Sequence, residues 1–422
     1  MNIYNNLGFI EKSIRNEKGM TLDNVSNDLN LSKAFLSYAE HGKKKLKEDT
    51  FIAFLNCYQI DFDFDLSLVN EVRDLLDELV MALAYRNRKQ EHETAQLIIK
   101  NRKKYKHSYG CIYLPLIDVF LTIHTVPSKI TSEQSKAFDE AESYMQLYSA
   151  DEKAIYTFLK AYDAKKKKKN NLSIQLYYEA LKLMDGRRWP QLEGIIKMNL
   201  ANMLLISTSY FEAYEVVREA HDIMVRHSNY IRALICQNNM SSYLIHMQCC
   251  DAAEEISNKI LVSKETFSNP LIYDYAVSVM LLTLTLGEKF EKAIRFSESH
   301  RRPFVNGFIS NFCLIPYCYY RVGKSDECLR EIRELSKERP TADDKALFSL
   351  LKAIIKQDRQ GVEKEKKRME KTCCRQYNWI MLMVLYQLMI HYYTSENEYE
   401  LLADAYAKQS MVLKHKLPLL KE

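Results

Sequence analysis

Two groups of residues in this chain have types and spacings suited to chemistry. The first is Ser32, Lys33, Ala34 and Ser37, followed after Gly42 by Lys43, Lys44, Lys45 and Lys47. Small and polar side chains near the start of a short helix can reach the edges of DNA bases in the major groove. Lysines suit phosphates, which supply most of the affinity for nucleic acid. From Ser32 to Lys47 there are five Lys and one Glu, a local charge of +4. The second group is Asn199, Asn202, Asn238, Asn239 and Ser242. An Asn amide offers both a donor and an acceptor, so it can hold one peptide unit of an extended ligand. Asn is also a poor helix former, so its recurrence inside helical sequence asks for a reason.

Other chemistries find no footing. No Ser/His/Asp order, P-loop or Gly-rich phosphate loop is visible, so no residue is a candidate for catalysis. The ten cysteines include the adjacent pairs Cys249–Cys250 and Cys373–Cys374, but no C-x-x-C. Buried free thiols are the expectation, with no metal and no cofactor. His221, His227 and His246 lack ligand spacing, and Lys165 to Lys169 reads as a solvated turn.

The first group needs a rigid platform, and the flanking sequence supplies one. Thr21 suits the N-cap of one helix and Ser32 that of the next. Leu22, Val25 and Leu29 form one apolar face, and Phe35, Leu36 and Ala39 can pack on it. Asn30 lies between them, where the turn calls for a residue that tolerates a left-handed backbone. This is a helix-turn-helix. A first helix over 7–16 turns Ile10 and Ile14 inward. A fourth, capped by Asp49 or Thr50, runs through Cys57 with Phe51, Phe54 and Leu55 apolar. Residues 58–65, YQIDFDFD, close the domain, and Phe62 and Phe64 are placed to anchor the next helix to it.

The stretches IRNEKGMTL, NDLNLSKAFLSYAEHGKKK and TFIAFLNCYQID resemble the DNA-binding domain of phage-repressor type, the XRE family. The resemblance implies a five-helix domain over residues 1–66. It gives Ser32, Lys33, Ala34 and Ser37 the reading of DNA, and Thr21, Lys43 and Lys44 the holding of phosphates. The chain departs from that pattern at Leu22 and Asp23, where the family usually has Gln after the cap, and at Ser26, where it usually has Ala.

Ten Gly and eight Pro in 422 residues, with 47% hydrophobic residues, favour an all-α protein. The net charge of +5 is mild, so the case for nucleic acid rests on the local lysines. From Leu68 the pattern is helix after helix, at 69–88, 91–105, 111–124 and 132–148, with the clearest break at Val126-Pro127-Ser128. Then it repeats. Ser173, Ala213, Ala253 and Ala293 are spaced by 40, and Cys328, Glu365 and Leu402 continue more loosely. Twelve residues before the first three stand Ala161, Ala201 and Ser241, all small, as a close helix crossing requires. The pattern resembles a tetratricopeptide repeat with longer turns, and implies an α-solenoid over 67–422. Asn199 and Asn239 each lie 14 residues before an anchor Ala, and Asn202 and Ser242 lie 11 before. In peptide-binding tetratricopeptide domains such offsets face the inner groove. Asn238 is beside Asn239, and Tyr162 and Tyr275 fall on inner offsets of flanking repeats.

A repressor-type head joined to such a solenoid resembles the peptide-pheromone-sensing regulators of Gram-positive bacteria, the Rgg- and PlcR-like group, and in plan the arbitrium receptors. That resemblance implies a cytoplasmic homodimer on double-stranded DNA with an inverted-repeat operator, controlled by a short signalling peptide. The alternative is a regulator or signalling inhibitor whose solenoid binds a protein partner. No signal peptide is expected before the first domain. The apolar stretch 379–393 is too short to span a bilayer and is expected to contribute to the dimer contact.

Overall fold

The computed structural model describes residues 7–125, 132–263, 266, 269–301, 311–338, 340–376 and 378–413, and is all-α. Its one extended pairing among the described residues is an isolated bridge between Asp63 and Ser108. The chain divides into two compact units, residues 1–203 with 226–229, and residues 204–225 with 230–422.

The first unit opens with α1 (Leu7–Glu17), α2 (Leu22–Asp28), α3 (Lys33–Glu40) and α4 (Glu48–Cys57). The local rules hold here. The Thr21 hydroxyl accepts the Asn24 N–H at 3.1 Å, and the Ser32 hydroxyl accepts the Phe35 N–H at 3.2 Å. Asn30 has φ +53°. The start of α4 differs from expectation. It follows Lys47, with Glu48 and Asp49 inside its first turn, where their charge favours the positive end of the helix dipole. Ile10, Ile14, Val25, Leu36, Phe51 and Phe54 are buried between these helices.

Among the described residues four helices, not five, precede residue 66. The Asp/Phe alternation after α4 gives an extended segment, whose Asp63 N–H donates to the His107 carbonyl at 2.8 Å. Phe62 is buried edge-on between Phe51 (5.2 Å) and Tyr109 (5.3 Å), and Phe64 meets the same Tyr109. The head therefore shares a core with the next helices of the unit. These are α5 (Ser67–Tyr85), α6 (Arg88–Lys106), α7 (Leu114–Thr125), α8 (Ser132–Ser143), α9 (Ala150–Lys166), α10 (Asn170–Leu183) and α11 (Pro190–Ile206), with a 3-10 turn at Met145–Leu147. The buried Tyr144 hydroxyl donates to the Phe9 carbonyl, and Gln146 donates to the His41 carbonyl at 3.0 Å. The break expected at Val126-Pro127-Ser128 lies outside the described residues.

The second unit contains α12 (Tyr210–Arg226), α13 (Tyr230–His246), α14 (Cys250–Leu261), α15 (Pro270–Leu286), α16 (Phe290–His300), α17 (Ile315–Arg321), α18 (Ser325–Leu335), α19 (Ala342–Ile355), α20 (Arg359–Gln376), α21 (Trp379–Ser395) and α22 (Tyr399–Leu413). The repeat is visible in both units as one recurring turn. Lys168, Thr208, Gln248, Glu288, Gly323, Gln357 and Asn397 all have φ between 56° and 76°. After each, an N–H closes the preceding helix, as from Lys169 to Ala164 and from Glu398 to Tyr393.

Five residues beyond the turns lie the anchors. Ser173, Ala213, Ala253, Ala293 and Cys328 are fully buried. The small residues twelve before them also do what close crossing requires. The Ser173 hydroxyl donates to the Ala161 carbonyl, and the Ser241 hydroxyl to the Ala253 carbonyl, both at 2.9 Å. Glu365 is a correction. The turn at Gln357 makes Val362 the equivalent residue, and Val362 is fully buried whereas Glu365 is half-buried. No helix among the described residues is long and apolar enough to cross a membrane.

Candidate functional site

On the head, Ser32, Lys33 and Ala34 are exposed at the start of α3, and Ser37 is half-buried one turn later. Lys43 and Lys44 are exposed and wrap the end of α3. Both backbone N–H groups donate to the Tyr38 carbonyl, at 2.8 and 3.2 Å. Both ammoniums lie over the Tyr38 ring, at 5.9 and 5.7 Å, and Lys44 also lies over Phe35. Gly42, just before them, has φ +66°, and a Cβ there would meet the Phe9 ring at 3.0 Å. Thr21 spends its hydroxyl on the cap and on Asn24. Asp23, where the chain leaves the family pattern, pairs with Lys33 at 2.8 Å.

In the same helices lie three buried ionisable groups that the sequence did not single out. Arg15 forks onto Glu40 at 2.6 and 2.9 Å and donates to the Met20 carbonyl at 2.8 Å. Glu11, fully buried, stands 3.9 Å from Arg15 and has no hydrogen-bond partner. Burial, then the charge of Glu40, pushes the Glu11 carboxyl up to about 9.

The candidate peptide residues fall in separate units. In the first, the Asn199 amide donates to the carbonyl of Ile195 in its own helix at 2.9 Å. Asn202 and Tyr162 are half-buried, and Tyr162 lies under the ammoniums of Lys165 (5.8 Å) and Lys166 (5.2 Å). The run Lys165–Lys169 is thus not wholly solvated. Lys166 donates to the Ile123 carbonyl, and burial lowers the pKa of both Lys165 and Lys166. In the second unit, Asn239 is 7% exposed and its carbonyl accepts the Tyr275 hydroxyl at 3.1 Å. Burial pushes that hydroxyl up to about 12. Ser242 is half-buried on the same face of α13. Asn238 departs from an inner-surface placement. It is fully buried, its amide reaches back to the Leu234 carbonyl at 3.3 Å, and its own carbonyl is unpartnered.

Arg188 is another residue sequence reasoning missed. It donates to Asp77 of α5 at 2.7 Å, to Glu152 of α9, and to the Arg73 carbonyl. Trp189 donates to the same Asp77 at 2.6 Å. Asp151 accepts backbone N–H groups of Asp185, Gly186 and Arg188. One side chain thus joins α5, α9 and the entry to α11, on which Asn199 and Asn202 lie.

No protein-family model matches the chain, and no curated protein matches it. Solved structures do. The apo form of RapI aligns with a TM-score of 0.64 and 12% identity, over 82% of this chain and 97% of that one. The apo form of the quorum sensor NprR from B. thuringiensis aligns with a TM-score of 0.61 and 14% identity, over 82% and 99%. A Rap protein complexed with competence and sporulation factor aligns with a TM-score of 0.57 and 15% identity, over 84% and 100%. At these identities the likeness establishes a shared helical-repeat fold.

Proposed function

We propose that the chain is a DNA-binding transcriptional regulator controlled by a short signalling peptide. The observation that carries this reading is the head. A doubly capped α2–α3 pair presents Ser32, Lys33 and Ala34 outward, with Lys43 and Lys44 held at the end of the second helix. That surface matches base edges and phosphates of double-stranded DNA. The peptide half rests on the repeat fold shared with a quorum sensor and with a Rap protein complexed with a signalling factor. In the second unit Asn239, Ser242 and Tyr275 supply the amide and hydroxyls that hold a peptide backbone. In the first, Asn199, Asn202 and Tyr162 supply the same chemistry. A homodimer on an inverted repeat follows from the small contact area of one head, with half-sites about 34 Å or a multiple apart. The ligand acts by favouring one arrangement of the heads over another.

The test is selection of genomic DNA fragments by the purified chain, followed by footprinting and light scattering. Protected inverted repeats bound by a dimer are expected. A chain that binds all duplexes equally, or none at low salt, removes the regulator reading and leaves a solenoid that contacts a protein partner.

A further inference from the structure

α20 presents one sign of charge to solvent. Its exposed residues are Arg359, Lys364, Lys367, Arg368, Lys371 and Arg375, with Gln360 the one uncharged member and no acid among them. From Lys364 to Arg375 the cations are spaced three, one, three and four apart, which sets them on one face within about 100° of arc.

The helix is not poor in acids. Glu363, Glu365 and Glu370 are half-buried on its flanks, and each is engaged. Glu363 accepts the Tyr393 hydroxyl and lies 3.7 Å from the buried Lys366. Glu370 accepts the Tyr386 hydroxyl at 3.1 Å and pairs with Lys408 at 3.3 Å. Glu365 pairs with Arg368 at 3.2 Å, and Arg359 pairs with Glu398. Lys364, Lys367 and Lys371 have no ion pair among the described residues. A helix face that only needs solvation commonly mixes signs at a spacing of four. Here packing draws the acids aside and leaves a row of cations roughly 17 Å long.

The side chains beside that row narrow what it can hold. The two large apolar residues of α20, Val362 and Met369, are fully buried, and the helix has no aromatic residue. Insertion into a lipid surface needs an apolar face beside the charge. A protein interface is centred on buried aromatic or apolar anchors. Single-stranded nucleic acid is gripped by stacking on aromatic rings. The backbone of a duplex asks only for charge, since it carries about one phosphate per 1.7 Å of its axis. We propose that the face of α20 from Lys364 to Arg375 is a second, sequence-independent site for the phosphates of double-stranded DNA. Lys364, Lys367 and Lys371 make the principal contacts, because no internal acid has to be displaced from them. The site stands apart from the head and does not rest on the head's reading of bases.

The probe is a short random-sequence duplex, with binding followed by anisotropy across a salt series. The starting protein is the full chain carrying Lys43→Ala and Lys44→Ala, so that the head contributes least. It should still bind the duplex. Adding Lys364→Gln, Lys367→Gln and Lys371→Gln should then lower the salt slope by about two to three, at about 0.9 per phosphate contact. Gln keeps the helix propensity of Lys, and all three positions are exposed, so the melting temperature should not move. An unchanged slope overturns the site and leaves the head reading standing. A slope that falls with the three substitutions, but not with the head pair, sustains the site and overturns the head reading. Phosphatidylserine-containing vesicles and polyglutamate are run in parallel. Retention on either at a salt concentration that releases the duplex, abolished by the three substitutions, overturns the duplex assignment in favour of a lipid surface or an acidic protein.

Discussion

Glu11→Gln is the substitution whose consequence follows most directly from the geometry. Glu11, Arg15 and Glu40 put two carboxyl groups against one guanidinium, all at most 8% exposed. Both fork bonds of Arg15 go to Glu40, and Glu11 keeps only a 3.9 Å approach. Glu11 therefore carries a proton in the folded chain at neutral pH, with its carboxyl raised from 4.5 to about 9. In the unfolded chain the same group has lost that proton. A raised folded pKa gives a contribution that is fully present below about 4.5 and fades as pH rises toward 9. The slope in that window is about 1.4 kcal/mol per pH unit. Between about pH 5.5 and 7.5 the wild-type chain should lose about 2.7 kcal/mol relative to Glu11→Gln, which keeps the shape and cannot ionise. The chain has two tryptophans, Trp189 in the first unit and Trp379 in the second. In a Trp379→Phe background, urea unfolding followed by Trp189 fluorescence reports the unit that contains Glu11. Parallel pH dependences in the two proteins would mean that Glu11 is ionised in the fold, and the reasoning would be wrong.

Replacing Lys43 and Lys44 together by Ala should weaken binding to every duplex and lower the salt slope by about one to two, read by anisotropy across a salt series. An unchanged slope places neither lysine on a phosphate. Asp23→Asn frees Lys33 from its partner, so DNA affinity should rise at low salt; no rise means the pair persists on DNA. Arg188→Met takes from Glu152, 2% exposed at its side chain, its hydrogen-bonded cation and leaves only Arg73 at 3.6 Å, which should cost about 1–3 kcal/mol in urea unfolding of the first unit. Asn239→Ala removes the acceptor of the Tyr275 hydroxyl, costing about 1 kcal/mol of stability, and should abolish the response of DNA binding to peptide. A variant that still responds puts the ligand elsewhere.

The sequence by itself determined what depends on neighbours along the chain. Thr21 and Ser32 could be read as caps, and Asn30 as a turn, because each acts on backbone groups two or three residues away. The 40-residue spacing of Ser173, Ala213, Ala253 and Ala293 was legible because a close crossing admits only small side chains, and all four are fully buried. The same logic failed at Glu365, where the repeat shortens and the anchor is a Val. The seven left-handed turns were not legible, since six are made by residues other than Gly. Tertiary structure alone decided which side chains meet across helices. Asn239 and Tyr275 are 36 residues apart, and Arg15 and Glu40 are 25 apart. Neither separation is visible in a periodicity, because it depends on how far each helix is rotated and slid against its neighbour. The same holds for burial of charge. Glu11 and Arg321 read in sequence as ordinary polar members of amphipathic helices, and only the packing around them removes water, leaving Glu11 protonated and the Arg321 Nε without a hydrogen-bond partner while Glu288 pairs with the guanidinium at 3.6 Å.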